Sequence, residues 1–323
     1  MKSNKELNHK KIAVVIPAYK VSANINSVIE NIGKDVKVIV VVDDGCPEKS
    51  GEVALSNNKR KVILVKHLKN QGVGSAMVTG YRVAMKNKAD IIVKVDGDGQ
   101  INPQLIPDLI KPILLGKAEY SKGNRFKNPE TIIRMPKIRI LGNLALSFFA
   151  KISTGYWEVF DPNNGFTAIS VKCLKEIDLS KISEDYFFET DMLFRLNLLG
   201  ARIFQFPMNA VYEQEKSNLS ILKSIPIFSF KHLKNFVKRM IYTYYVKDFN
   251  MGSIELPASL ILLISAISLA ITNLIQSSRT GEYTSTSTLI LIAMLFLSGL
   301  QIFLSFLSID MNSNNLKYNR TFE

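Results

Sequence analysis

Ile91-Ile92-Val93-Lys94-Val95-Asp96-Gly97-Asp98-Gly99-Gln100 is a short apolar run that stops abruptly in acids and glycines. A Val/Ile run of this length, bounded by turn residues, reads as a buried strand. Three more runs precede it: IAVVI (12–16), ending at Pro17; VKVIVVV (36–42), ending at Asp43-Asp44-Gly45; and VILV (62–65). Between them lie stretches with helical spacing of apolar residues: 23–32, 46 to about 57, and 72–87. Strands without polar alternation, separated by helices, predict an α/β fold with a mostly parallel sheet covered on both faces. Ligands in such sheets collect at the carboxyl ends of strands. Both acidic clusters fall there.

In an extended segment residues two apart point the same way, so Asp96 and Asp98 converge. Their hard oxygens, with the Gln100 amide, suit Mg²⁺ or Mn²⁺ rather than zinc. The bland alternative is a solvated Asp-Gly turn. Position directly after a buried strand, with Asp43 and Asp44 one unit earlier, favours the metal. An EF-hand is excluded, because no Glu follows at the required spacing. A Rossmann dinucleotide site is excluded as well, since the turn after the first strand (PAYKVS, 17–22) has no glycine. Gln71-Gly72-Val73-Gly74 is a lone GxG, more often a tight turn than a phosphate cradle.

The chain has 323 residues, 47% of them hydrophobic, which excludes a disordered chain and leaves ample core. Forty-one Lys+Arg against 28 Asp+Glu give a net charge of +13, pointing to an anionic partner. Two cysteines, Cys46 and Cys173, exclude a disulfide scaffold and read as reduced thiols. No charge occurs in 256–278 or in 283–309. Each stretch holds the roughly 20 apolar residues that cross a bilayer as a helix. Ahead of them, Lys216, Lys223, Lys231, Lys234, Lys238, Arg239 and Lys247 alternate with Phe228, Phe230, Phe236, Tyr242, Tyr244 and Tyr245. Beside two spans this pattern predicts interfacial helices on an anionic leaflet, and no nucleic-acid partner. Positive charge places the large N-terminal part and the tail in the cytoplasm, in a multi-pass protein of the cell's inner (plasma) membrane. The expected divisions are 1–215, a cytoplasmic α/β domain; 216–252, amphipathic juxtamembrane helices; 253–310, two spans; and 311–323, a tail. Ser298 and Gly299 permit close helix packing and leave a homo-oligomer open.

Four motifs in order carry a resemblance: Ile16-Pro17-Ala18-Tyr19, Val42-Asp43-Asp44-Gly45, Asn70-Gln71-Gly72-Val73-Gly74 and Asp96-Gly97-Asp98-Gly99-Gln100. Together they resemble the signature of family 2 glycosyltransferases of the GT-A fold, in particular the polyisoprenyl-phosphate glycosyltransferases and dolichol-phosphate mannosyltransferases. The similarity covers roughly residues 12–220. It implies that Pro17, Tyr19, Asp43, Asp44 and Asp96 line the nucleotide pocket. It implies a metal held by Asp96, Asp98 and Gln100, with Asp98 essential to catalysis. Arg125, in Gly123-Asn124-Arg125-Phe126, with Arg139 and Lys216, would face an acceptor phosphate. The catalytic base stays open between Asp161, Glu189 and Asp191.

Two departures stand out. Lys20-Val21 replaces the family's usual Asn-Glu, and Cys46 replaces a serine. The Gln-x-x-Arg-Trp motif of processive polysaccharide synthases is absent. The implied activity is inverting transfer from a UDP- or GDP-linked sugar to polyprenyl phosphate. The competing readings are transfer to the hydroxyl of a lipid-linked glycan, and a non-catalytic, membrane-anchored nucleotide-binding protein.

Overall fold

The structure, a computed structural model, describes residues 10–56, 59–127, 137–208 and 221–319. The chain divides into two compact units, Met1–Val237 with Lys317–Glu323, and Lys238–Leu316.

Among the described residues the first unit holds seven strands: β1 Ile12–Ala18, β2 Val36–Asp43, β3 Ile63–Lys66, β4 Ile91–Lys94, β5 Tyr120–Asn124, β6 Thr167–Ser170 and β7 Ile203–Pro207. Their order is β3-β2-β1-β4-β6-β5-β7. Helices α1 Ile25–Asn31, α2 Ser50–Leu55, α3 Val73–Lys86, α4 Ile106–Leu114, α5 Lys137–Thr154, α6 Val171–Leu174, α7 Phe188–Leu199 and α8 Ile221–Ile241 accompany them. Alternate residues of each strand feed two cores. Val15, Val40 and Val42 pack with Met77 and Tyr81 of α3 and Met192 and Leu196 of α7. Val14, Ile16, Ile39 and Val41 pack with Val28 and Ile29 of α1 and Leu109 and Ile110 of α4. Burial on both faces explains why these strands read as unbroken Val/Ile runs.

The pairs β1–β2, β1–β4, β2–β3 and β5–β7 are parallel. β6 alone runs antiparallel, against both β4 and β5. Two consequences place the site. The strand order reverses between β1 and β4, opening a crevice at their carboxyl ends. The reversed β6 begins at that same edge, so the loop before it, carrying Asp161 to Phe166, arrives beside the ends of β4 and β5.

The expected juxtamembrane segment begins at 216, whereas the unit boundary falls at 237/238, inside α8. The cause is the inner face of α8. His232 and Asn235 are buried, with His232 Nδ1 2.8 Å from Ser153 Oγ and Asn235 Nδ2 donating to Asp191 Oδ1 at 3.1 Å. Phe228 meets Phe187 with ring centroids 5.8 Å apart. The opposite face exposes Ile227, Phe230, Leu233 and Val237.

The second unit holds α9 Met251–Thr280 and α10 Thr286–Asn319. Asn250 and Ser253 form a reciprocal capping box at the start of α9. Residues 251–280 and 286–312 are long and apolar enough to cross a membrane, with mean hydropathies of 2.2 and 2.4. Arg239, expected on an anionic leaflet, is instead buried against Asp310 of α10. Its Nη1 and Nη2 lie 2.6 and 3.0 Å from the two carboxylate oxygens, and the Tyr244 hydroxyl donates to the same acid at 2.9 Å. A lone acid at the end of an apolar helix needs a cation, and Arg239 supplies it.

Candidate active site

The carboxyl end of β4 is a charged corner. Lys94, on the last residue of the strand, is buried, yet its Nζ lies 3.0 Å from Asp96 Oδ1 and 2.7 Å from Glu189 Oε1. Burial alone would lower the lysine pKa; the charges of Asp96 and Glu189 outweigh it and hold Lys94 firmly protonated. Glu189 comes from the first turn of α7. Gly165 closes the corner, because a Cβ there would collide with both Asp96 Oδ2 and Lys94 Nζ. Lys94 and Lys122 both pair in register with Thr167 of β6, so the two lysines flank it across the sheet.

At the end of β5, Arg125 forms a fork on Asp161, with Nη2 to Oδ1 at 2.6 Å and Nε to Oδ2 at 2.8 Å. Asp161 is left-handed, at φ 56°, and Asn164 Nδ2 donates to it at 3.1 Å. Burial would raise its carboxyl; the hydrogen bonds and charge of Arg125, with the charge of Lys122, hold it below the ordinary value instead. Lys122 Nζ donates to the Asp161 carbonyl, and burial pushes that ammonium down to about 8. Gln205 of β7 fixes the loop by accepting from Phe160 N and Asn124 Nδ2 and donating to the Glu158 carbonyl.

Asp43 is spent on backbone amides, and Asp44 on backbone amides and His67. Asp43 accepts from Cys46 N and Gly51 N, both at 2.8 Å. Asp44 accepts from Gln71 N, Gly72 N and His67 Nδ1. They shape the walls of the crevice by tying the β2–α2 loop and the turn before α3. Tyr19 follows β1, with Lys20 Nζ 5.6 Å from its ring centroid, and Lys20 N donates to Cys46 Sγ at 3.0 Å. Pro17 lies within β1. The Lys20 and Cys46 departures therefore meet in one contact. Asp98 accepts from Gln100 N at 3.0 Å, and its carbonyl accepts from Asn24 Nδ2 at 2.6 Å.

Asp191 accepts from Arg195 Nε and Ser183 N, each at 3.0 Å, besides Asn235. Ser183 opens a braced loop. Gly74 N and Ser75 N both donate to the Glu184 carbonyl, and Lys231 Nζ reaches Asp185 at 2.7 Å. The loop presents half-exposed Tyr186, whose phenol is raised by burial and by the charges of Asp96 and Glu189. Arg139 falls in the first turn of α5 with its side chain outside the described residues, and Lys216 lies outside them altogether.

The residues fit a divalent ion. Asp96 and Asp98 offer hard carboxylate oxygens at the rim, the Asp96 side chain being 32% exposed. Among the described residues no group of three or more His, Cys, Asp and Glu is placed to hold a metal ion, so an ion here would need ligands from outside the protein. Few protein oxygens and open positions suit Mg²⁺ or Mn²⁺ shared with substrate phosphates.

Residues 13–178 match the Glycosyl transferase family 2 family, and the chain belongs to it. It is a glycosyltransferase. It is 32% identical over 220 residues to the UDP-N-acetylglucosamine–dolichyl-phosphate N-acetylglucosaminyltransferase of Methanococcus voltae, covering 64% of this chain and 87% of that protein. It is 29% identical over 176 residues to the undecaprenyl-phosphate mannosyltransferase of Micrococcus luteus, covering 54% and 71%. The fold is also that of glucosyl-3-phosphoglycerate synthase from Mycobacterium tuberculosis, solved with Mn²⁺ and UDP. There the TM-score is 0.54 and the identity 21%, covering 73% of this chain and 83% of that one.

Proposed function

We propose that the protein transfers a sugar, with inversion, from a nucleoside-diphosphate sugar to a polyprenyl phosphate at the cytoplasmic face of a membrane. One observation carries the choice of acceptor. Each of the three carboxylates offered by the sequence as a general base holds a cation: Asp161 holds Arg125, Glu189 holds Lys94 and Asp191 holds Arg195. A sugar hydroxyl needs a base to take its proton, whereas a phosphate acceptor arrives ionised. Two relatives named above for lipid-phosphate acceptors support the same reading.

The donor enters the crevice between the ends of β1 and β4, walled by Pro17, Tyr19 and the loops that Asp43 and Asp44 tie. Asp96, Asp98 and Gln100 would hold Mg²⁺ or Mn²⁺, which when bound neutralises charge on the diphosphate leaving group. The anomeric C–O bond breaks with its electron pair leaving on the diphosphate. An acceptor phosphate oxygen forms the new bond from the opposite face. Arg125, rigid in its fork, orients that phosphate by charge-assisted hydrogen bonds, with Arg139 and Lys216 assisting. The exposed apolar stripe of α8, with Lys234 beside it, lies in the leaflet, and α9 and α10 cross the membrane.

The test is to incubate membranes with radiolabelled UDP- and GDP-sugars, Mn²⁺ and a short polyprenyl phosphate. An acid-labile labelled lipid is expected. Label that appears only with a glycan acceptor would defeat the proposal. Asp98→Ala is expected to abolish turnover while the protein stays folded in the membrane. Substantial residual turnover would remove Asp98 from the metal site.

A further inference from the structure

A lysine in the middle of a buried corner demands a reason. Lys94 is 2% exposed and touches two carboxylates from different elements, Asp96 after β4 and Glu189 on α7. The ammonium stands between them, so the two carboxylates are separated by two hydrogen-bond lengths at most. Gly165 packs against both the ammonium and Asp96 Oδ2, leaving no room for the corner to open on that side. Without the ammonium, Asp96 and Glu189 would face each other uncompensated across a gap that one cation fills. Those two carboxylates could then share a divalent ion between them without help from substrate.

We infer that Lys94 is a resident cation that keeps Glu189 out of the metal's coordination, so that a divalent ion binds this protein only together with the diphosphate of its donor. The inference rests on the reading that Asp96 and Asp98 hold the ion. It assigns Lys94 a positioning role: its charge occupies Asp96 Oδ1 and Glu189 and opposes a second cation in the same place. The metal then enters and leaves with the nucleotide. A corner in which Asp96 and Glu189 were both available would keep the ion and retard release of the nucleoside diphosphate.

The experiment measures Mn²⁺ uptake by the full chain in detergent, from loss of the free-ion EPR signal, with and without UDP or GDP. Wild type is expected to take up Mn²⁺ with nucleotide and weakly without it. Lys94→Met should bind Mn²⁺ without nucleotide at least about tenfold more tightly. Lys94→Met with Glu189→Gln should return to the wild-type affinity, and Lys94→Arg, which keeps the charge, should stay as weak as wild type. Glu189→Gln alone should leave nucleotide-free affinity unchanged. A tenfold loss there would mean that Glu189 already ligates the ion, and would overturn the inference without requiring Lys94→Met to fold. Melting curves report whether Lys94→Met is folded. A folded Lys94→Met that binds no more tightly than wild type, or tightening that survives Glu189→Gln, also overturns it. Absence of uptake by wild type with either nucleotide would instead remove the metal reading itself.

Discussion

Asp161→Asn tests the fork that presents Arg125. Asp161 is 1% exposed and the Arg125 side chain 15% exposed, with bonds of 2.6 and 2.8 Å between them. Removing one partner of a buried pair costs about 3–5 kcal/mol, because the other charge is left behind. Arg125 keeps some solvent, which argues for about 3 kcal/mol. In a domain of this size each kcal/mol moves the melting temperature by about 2–4 °C, so a fall of about 6–12 °C is expected. Asparagine tolerates the left-handed φ of 56°, so Asp161→Asn removes charge without backbone strain. Asp161→Ala adds strain of about 1–2 kcal/mol and should melt lower still. There is a pH signature too. The folded carboxyl is held below its ordinary value of 3.8, so its stabilisation is fully present above 3.8 and is lost as pH falls through the folded value. Wild type and Asp161→Asn should therefore converge in acid. The assay is melting against pH, with the KM for polyprenyl phosphate measured in parallel and expected to rise. An Asp161→Asn protein that melts with wild type at neutral pH, with unchanged acceptor KM, would refute the argument.

Two further outcomes follow from buried charge. His232 is held neutral, with burial pushing its imidazole down to about 4 from 6.5. The unfolded chain takes up that proton first, so stability should fall between pH 6.5 and about 4, by at most roughly 3 kcal/mol. Melting of His232→Phe should show a flatter acid limb; an unchanged limb would exclude His232 as its source. In the second unit, Arg239→Met and Asp310→Leu should each destabilise by about 3–5 kcal/mol, while the double variant with both loses less than either alone. Melting in detergent decides this, and additive losses would show that the two residues do not act as a pair.

Strands β1, β2 and β4 are legible because each is a buried Val/Ile run that stops at proline, acids or glycine, and the partly exposed edge strand β3 is legible from its apolar run alone. β5 (Tyr120–Asn124) and β7 (Ile203–Pro207) are not: they carry Lys122, Asn124 and Gln205, and their strand character comes from neighbours in the sheet rather than from a local pattern. The reversal of β6 was equally silent, although it is what delivers Asp161 to the site. The acids are visible in the sequence and their partners are not. Asp161 and Arg125 stand as separate contacts there, since no periodicity links residues 36 apart. Glu189 and Asp191 looked alike in sequence, but helical geometry separates them: two residues apart on α7 they point to different sides, Glu189 toward β4 and Asp191 toward Arg195 and α8. A usable signal existed for Lys94 and for Asp310. Each is a lone charge in an apolar segment, and a charge that must be buried must also be paired. Searching for its counter-charge amounts to searching for a long-range contact, and at Lys94 that search leads straight to the corner where the donor diphosphate is proposed to bind.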